Sequence, residues 1–239
     1  MRALRVVVFG VMVAGIFAGT VALLPWGAPS HAAPSASTLP LDPPATAGAM
    51  APQIAVAGDG SLWLTWLEPR RPSLGGGHRL RISHLVGNRW SMPTTIVEGT
   101  DFFANWADVP GVGIVGRRMV AHWLAKSGAD KYAYEVRLAR SEDGGRSFRL
   151  AGVLHADKKP AEHGFVSWLR DGKELRAVWL DGRKTPDGGA MQVRTAALSA
   201  GGPANEVELD ARVCDCCATA AVETALGPLV MYRDRSEAE

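Results

Sequence analysis

Four short segments, LTWLE, AHWLA, AVWLD and VMYRD, put an aromatic residue at one recurring place: Trp66, Trp123, Trp179 and Tyr232. The intervals between them are 57, 56 and 53 residues. An arginine follows each of the first three at a near-constant distance, Arg81, Arg137 and Arg194 lying 15, 14 and 15 residues further on. A chain that repeats itself at this period is an array of like units, each relying on its neighbours to cover its apolar faces.

Each unit is built from short alternating runs rich in Val, Leu, Trp and Tyr. QIAVAGDGSLWLTWLE reads as strand, tight Gly-Asp-Gly turn and strand; HRLRISHLVGNRW adds a third strand and a turn, and TTIVEG a fourth. No stretch after residue 52 sustains apolar residues at helical spacing. Four antiparallel strands in about 55 residues make a β-propeller blade, so the expected class is all-β. The units run over 53–100, 101–158 and 159–210, and a fourth begins near 211. The count gives an expectation of about three and a half blades, the N-terminal part of a larger ring.

Ahead of the repeats, Arg2 and Arg5 precede an apolar run from Val6 to Leu24 and a small-residue stretch ending in Ser30-His31-Ala32. This is the pattern of a signal peptide over 1–32, or of an uncleaved N-terminal anchor, and either places the remainder in the periplasm or outside the cell. Residues 33–52 are Pro, Ala, Ser and Thr with little to bury, a tether. Without residues 1–32, the 26 basic residues become 24, against 24 acidic ones. A formally neutral chain argues against nucleic acid or an anionic membrane surface as partner. The partner expected instead is a glycan or other small ligand at the channel face, with membrane contact only through an uncleaved leader.

The stretch SEDGGRSF has the form S-x-D-x-G-x-x-aromatic, with Ser141, Asp143, Gly145 and Phe148 at the defining positions. It resembles the Asp box (BNR repeat) of sialidases and related propellers, and SHLVGNRW is a worn copy with Leu85 in place of the Asp. In that family the box is a folding motif in the hairpin between third and fourth strands. NWAD, AHWLAKSG, EHGFVS, WLDGR, CDCC and YRDRS together resemble a group of exported bacterial sialidase-like proteins. The resemblance implies a six-bladed propeller and glycoside hydrolysis of the exo-α-sialidase kind, with arginines on the substrate carboxylate, an Asp acid/base and a Tyr nucleophile paired with Glu. The match is incomplete. Gln53 is the nearest residue to the place of the first arginine, and Glu68 stands for the Asp, followed by Arg70.

In a four-stranded blade, the loop entering the first strand and the loop joining the second and third share one face. On that face fall Asn105, Trp106 and Asp108, then Glu162 and His163, then Cys214, Asp215, Cys216 and Cys217. After the second strands come Glu68 and Arg70, Asp181 and Arg183, and Arg233 and Asp234, the candidate catalytic residues; Asp181 with Arg183 and Asp234 with its neighbouring arginine are alternatively salt bridges between blades. The three cysteines, read as Cys-x-Cys-Cys rather than C-x-x-C, admit three roles outside the cytoplasm: a structural bridge, a redox pair, or a copper(I) or zinc site completed by His163. The metal role defines the rival function, a non-catalytic binding or scaffold propeller that handles copper or zinc.

Overall fold

The computed structural model describes residues 4–8, 38–199 and 201–235, and no α-helix occurs among them. β1 (Leu4–Val8) opens the chain. Blade one follows with β2 (Met50–Val56), β3 (Leu62–Pro69), β4 (His78–Val86), the short β5 (Arg89–Trp90) and β6 (Thr94–Gly99). Blade two is β7 (Gly111–Val115), β8 (Arg118–Lys126), β9 (Tyr134–Ser141) and β10 (Arg149–Val153). Blade three is β11 (His163–Asp171), β12 (Glu174–Asp181), β13 (Gln192–Ser199) and β14 (Gly202–Asp210). The fourth sheet contains β15 (Ala220–Thr224) and β16 (Gly227–Arg233), with β1 paired antiparallel to β16. Of the leader expected over 1–32, all but Leu4–Val8 lies outside the described residues. No helix among the described residues is long and apolar enough to cross a membrane.

β2 lies beside β7, β7 beside β11 and β11 beside β15. The first strand of each sheet is therefore innermost, and these four strands line a channel of about 580 Å³. This propeller-like order follows from the sequence pattern. Each sheet has two faces, and wedging it between neighbours buries both. One apolar cluster fills the seam between blades one and two (Leu67, Ile82, Met119, Trp123), a second that between two and three (Val120, Leu138, Trp179), and a third that between three and four (Leu180, Val193, Tyr232). Removing either fully buried tryptophan, Trp66 or Trp179, to alanine would cost about 3–5 kcal/mol.

β2 starts at Met50, so Met50, Ala51 and Pro52 belong to blade one and not to the tether that composition suggests. The strand carries a bulge between Met50 and Gln53, with Ala51 at φ 53°. Proline is tolerated there because a bulge asks for no ladder hydrogen bond at that position. β11 repeats the device between Gly164 and Ser167, with Phe165 at φ 52°.

Polar contacts also cross the seams. His122 is fully buried between blades two and three; its Nδ1 accepts from the Trp168 indole N–H at 2.9 Å and its Nε2 donates to the Val109 carbonyl at 3.2 Å. Burial pushes its pKa down to about 4 against the Val109 hydrogen bond, so the ring is neutral near pH 7.

The hairpin from Ser141 to Phe148 is a dense turn. Asp143 Oδ1 accepts from the Ser141 hydroxyl and from the backbone N–H of Arg146 and Ser147, while the Gly145 N–H donates to Ser141 Oγ at 2.9 Å. Phe148 packs on the seam between blades one and two. Gly145 has φ 80°, and a Cβ there would stand 3.0 Å from the Trp63 ring and 3.1 Å from the Met119 sulfur. Gly145→Ala is expected to destabilise the protein by about 1–3 kcal/mol, from left-handed backbone strain and seam contact together. Equilibrium urea unfolding measures it, and an unchanged midpoint would show that the turn does not brace the seam.

Candidate functional site

The loop entering blade two builds the channel mouth. Asn105 Oδ1 accepts the backbone N–H of Ala107 at 2.8 Å and of Asp108 at 2.7 Å, an Asx turn that fixes Asn105-Trp106-Ala107-Asp108. The turn holds the Trp106 side chain outward, 88% exposed, and directs Asp108 inward, 4% exposed, into the channel wall. There Asp108 Oδ2 accepts the N–H of Phe165 at 2.8 Å, across the seam to blade three. The bulge in β11 makes that approach possible, and Gly164 is required beside it because a Cβ would meet Asp108 Oδ2 at 1.8 Å. Asp108 Oδ1 has no hydrogen-bond partner among the described residues.

Burial pushes the Asp108 pKa up to about 7; the Phe165 N–H opposes this and the charge of Glu162 adds to it. Because Oδ2 accepts from Phe165, the proton sits on Oδ1, the unpartnered oxygen. Glu162 enters from the loop before β11, and its Oε1 accepts the Tyr134 hydroxyl at 2.5 Å. Burial raises the Glu162 carboxyl, the Tyr134 hydrogen bond holds it back, and the charge of Asp215 adds to the rise. The Tyr134 phenol, stacked on Phe103 at 4.2 Å, is itself pushed far up by burial and by Glu162, so it acts as a donor and not as an anion. The charge of Glu162 thus acts on Asp108 and that of Asp215 on Glu162, three acids that the loop positions in the sequence assign to one face.

The acids singled out after the second strands are held differently. Glu68 is buried and accepts from the Trp66 indole at 2.9 Å, the Thr46 N–H at 3.1 Å and Arg79 at 2.9 Å, all within its own blade or the segment before it. Burial pushes its carboxyl up, but these bonds and the charges of Arg81 and Arg79 outweigh burial and hold it below the usual range. Arg70 turns to Glu98 at 3.5 Å and to the Gly76 carbonyl. Asp181 is also buried, accepting from the Trp179 indole at 2.8 Å and from Arg183 through Nε and Nη2 at 2.7 Å each. The motif is shared: a period-2 strand puts the acid two residues past the tryptophan on the same side, where it takes the indole N–H. Ala125 occupies the matching place in blade two.

His163 joins the Asp181 network and not the cysteines. Its Nδ1 faces the Ala161 carbonyl at 3.0 Å, so it donates there, and Nε2 must also carry a proton to bond Asp157 Oδ2 at 3.1 Å. Asp157 and Asp181 raise its pKa against burial, which fits an imidazolium. The His155 ring stacks on it at 3.6 Å and 3°, with Nδ1 on the same Asp157 oxygen at 3.0 Å. His155, Asp157 and His163 bring three ligand atoms within 4.8 Å of one another. One nitrogen of each ring, however, is already taken up by the one Asp157 oxygen, and Arg183 bridges Asp157 and Glu206. The group is an ion-pair lattice tying the β10–β11 loop to blade three.

The cysteines form a separate group. Cys214 and Cys217 are bonded as a disulfide, so the C-x-x-C spacing set aside in the sequence reading is the one used. Cys216 is free and exposed, with its sulfur 3.8 Å from that of Cys214. Arg233 Nη1 lies 3.5 Å from Cys217 Sγ and 3.9 Å from Cys214 Sγ. Asp234 pairs with Val213 and borders the same small cavity as the sulfurs.

No protein-family model matches the chain, and no curated protein does. Among solved structures, the chain is similar to the α-L-arabinanase of Penicillium chrysogenum complexed with arabinobiose, at 10% identity and TM-score 0.52 over 77% of this chain and 58% of that one. A protein of unknown function from Dyadobacter fermentans matches at 14% identity and TM-score 0.52, over 76% and 52%. The chain thus spans little more than half the length of each. At these identities the likeness establishes the fold, an all-β array of propeller-like antiparallel sheets.

Two outcomes follow. The folded state binds a proton at Asp108 that the unfolded chain releases near pH 4, so this group's contribution to stability falls as pH rises from about 4 to about 7. Asp108→Asn keeps an acceptor for Phe165 without the ionisation, and its melting temperature relative to wild type should therefore be higher at pH 8 than at pH 5; equal differences would place Asp108 at an ordinary pKa. Iodoacetamide under native, non-reducing conditions should label Cys216 alone, and all three cysteines after reduction and unfolding, as intact-mass spectrometry would read.

Proposed function

We propose that this propeller acts on glycans, hydrolysing a glycosidic bond at the channel mouth with Asp108 and Glu162 as the working carboxyls. The observation that carries the reading is Asp108: a carboxyl on the channel wall, raised to about 7, with its unpartnered oxygen bearing the proton. Glycoside cleavage needs one carboxylic acid that is still protonated near neutral pH to protonate the leaving oxygen, and a second carboxylate to activate water or attack the sugar. Asp108 fits the first role. Glu162, oriented by the Tyr134 hydroxyl, supplies the second. The fold shared with an arabinanase supports the class, by analogy only.

The finer sialidase reading draws on the turn at Ser141–Phe148 and on the arginines near the mouth. Its support is weaker, because Arg70, Arg183 and Arg233 are engaged with Glu98, with Asp181 and with the cysteine sulfurs. Export to the periplasm or beyond belongs to the same proposal and rests on Arg2, Arg5 and the apolar run after them.

Fluorogenic arabinofuranoside, other neutral glycosides and a sialoside, each incubated with the purified protein, test the reading. Release of fluorophore is expected, reduced about 10²–10⁴-fold by Asp108→Asn and by Glu162→Gln. Absence of release at high protein concentration, or full turnover by both variants, would overturn it.

A further inference from the structure

The Cys214–Cys217 bridge has a free thiol against it. Cys216 Sγ stands 3.8 Å from Cys214 Sγ, and the three sulfurs all lie within 4.8 Å of one another. As a staple the bridge does little, because its cysteines are three residues apart and so short a loop constrains the unfolded chain least. The buried end of the segment is already held by its backbone: the Val213 N–H donates to the Met191 carbonyl at 2.9 Å and the Cys214 N–H to the Arg233 carbonyl at 3.0 Å. The second of these bonds also fixes the end of β16 beside the sulfurs. Arg233 Nη1 is thereby placed 3.5 Å from Cys217 Sγ and 3.9 Å from Cys214 Sγ, at a cavity of about 240 Å³ that Cys214 and Cys216 also line.

Exposure sorts the sulfurs. Cys214 is buried, Cys217 half-buried and Cys216 exposed, so a thiol in solution meets Cys216 before either bonded sulfur. A disulfide exchanges when a thiolate attacks one of its sulfurs and the other departs as a thiolate, and a neighbouring arginine stabilises the departing charge. We infer that Cys214, Cys216, Cys217 and Arg233 form a thiol–disulfide exchange site for an external dithiol, with Cys216 as the sulfur that carries the bridge outward. Cys216, its proton given up to solvent, attacks Cys214 Sγ. The Cys214–Cys217 bond breaks, its electron pair leaves on Cys217 beside Arg233, and a Cys214–Cys216 bond takes its place. One thiolate of the dithiol then attacks the exposed Cys216 Sγ, and Cys214 departs as a thiolate. The second thiolate attacks the dithiol's own bonded sulfur and releases Cys216, and the released sulfurs take protons from solvent. The dithiol is thus oxidised to its disulfide by two electrons and the bridge is reduced to two thiols. At rest the partition lies with Cys214–Cys217, so alkylation of the oxidised protein falls on Cys216. This site is separate from the carboxyls at the channel wall and does not rest on the glycan reading.

Opening of the bridge in the native protein by dithiothreitol tests the inference. Samples quenched with N-ethylmaleimide and read by intact-mass spectrometry should pass from one label to three in wild type and from none to two in Cys216→Ser. Cys216→Ser should open at least about tenfold more slowly, because the dithiol must then reach a covered sulfur without the intramolecular step. Its melting temperature should match wild type, since Cys216 is exposed. Arg233→Gln should slow opening about three- to tenfold and Arg233→Lys should restore most of the rate, a rescue by charge that a packing role would not give. A reduced peptide carrying two cysteines, at the same thiol concentration, separates two sources of the dithiol: a greater dependence on Cys216 with the peptide marks a polypeptide partner, and a greater one with dithiothreitol a small molecule. Opening of Cys216→Ser at the wild-type rate would leave the bridge a staple and overturn the inference. Equal slowing by glutamine and lysine at position 233 would overturn the part given to Arg233.

Discussion

A single hydrogen bond, from the backbone N–H of Phe165 on blade three to the Asp108 carboxyl carried by blade two, links the architecture to the candidate site. It needs a bulge in β11, a residue held at positive φ and a glycine with no Cβ beside it. Those conditions carry local backbone strain of about 1–3 kcal/mol, which neighbouring packing must offset. The bulge recurs at Ala51 in blade one, so the device belongs to the blade, and in blade three it seats an acid from the preceding unit. The channel wall and the proton on Asp108 both depend on that seating.

The contrast between carboxyls shows how environment sorts one residue type into different tasks. Glu68 and Asp181 are as buried as Asp108, yet indole and arginine donors hold them ionised. Asp108 has one backbone donor and a neighbouring negative charge, so burial prevails. Burial alone therefore does not decide which acid retains a proton; the number of donors that reach it does.

Much of the fold was legible because it is periodic. The aromatic spacing marked the blades, alternation marked the strands, and the Gly-rich hairpins marked the turns, since all are local patterns with a direct physical cause. The candidate site was only partly legible. The loop positions assigned Asp108, Glu162 and Asp215 to one face, and the structure links Glu162 to Asp108 and Asp215 to Glu162 through their charges, whereas the acids singled out for chemistry stand next to arginines. The clue to their actual setting was present in the tryptophan two residues earlier, which shares their side of the strand. Tyr134 had no such signal: its partner Glu162 is 28 residues away and in another blade. Neither did the bulges, because Ala51 and Phe165 are not residue types that favour positive φ. A structural bridge was among the roles the cysteine run admitted, and the structure places it between the outer pair, Cys214 and Cys217, whose spacing the sequence reading had set aside.

The seam between blades two and three is also joined at His122, whose two nitrogens have fixed and opposite roles. Trp168 donates to one and Val109 accepts from the other, so only one tautomer fits. A second proton on that ring would set an N–H against the indole N–H, in a place no water reaches. The joint is therefore a polarity-coded latch that holds while the imidazole is neutral, and strong acid attacks the molecule along the same line that seats Asp108.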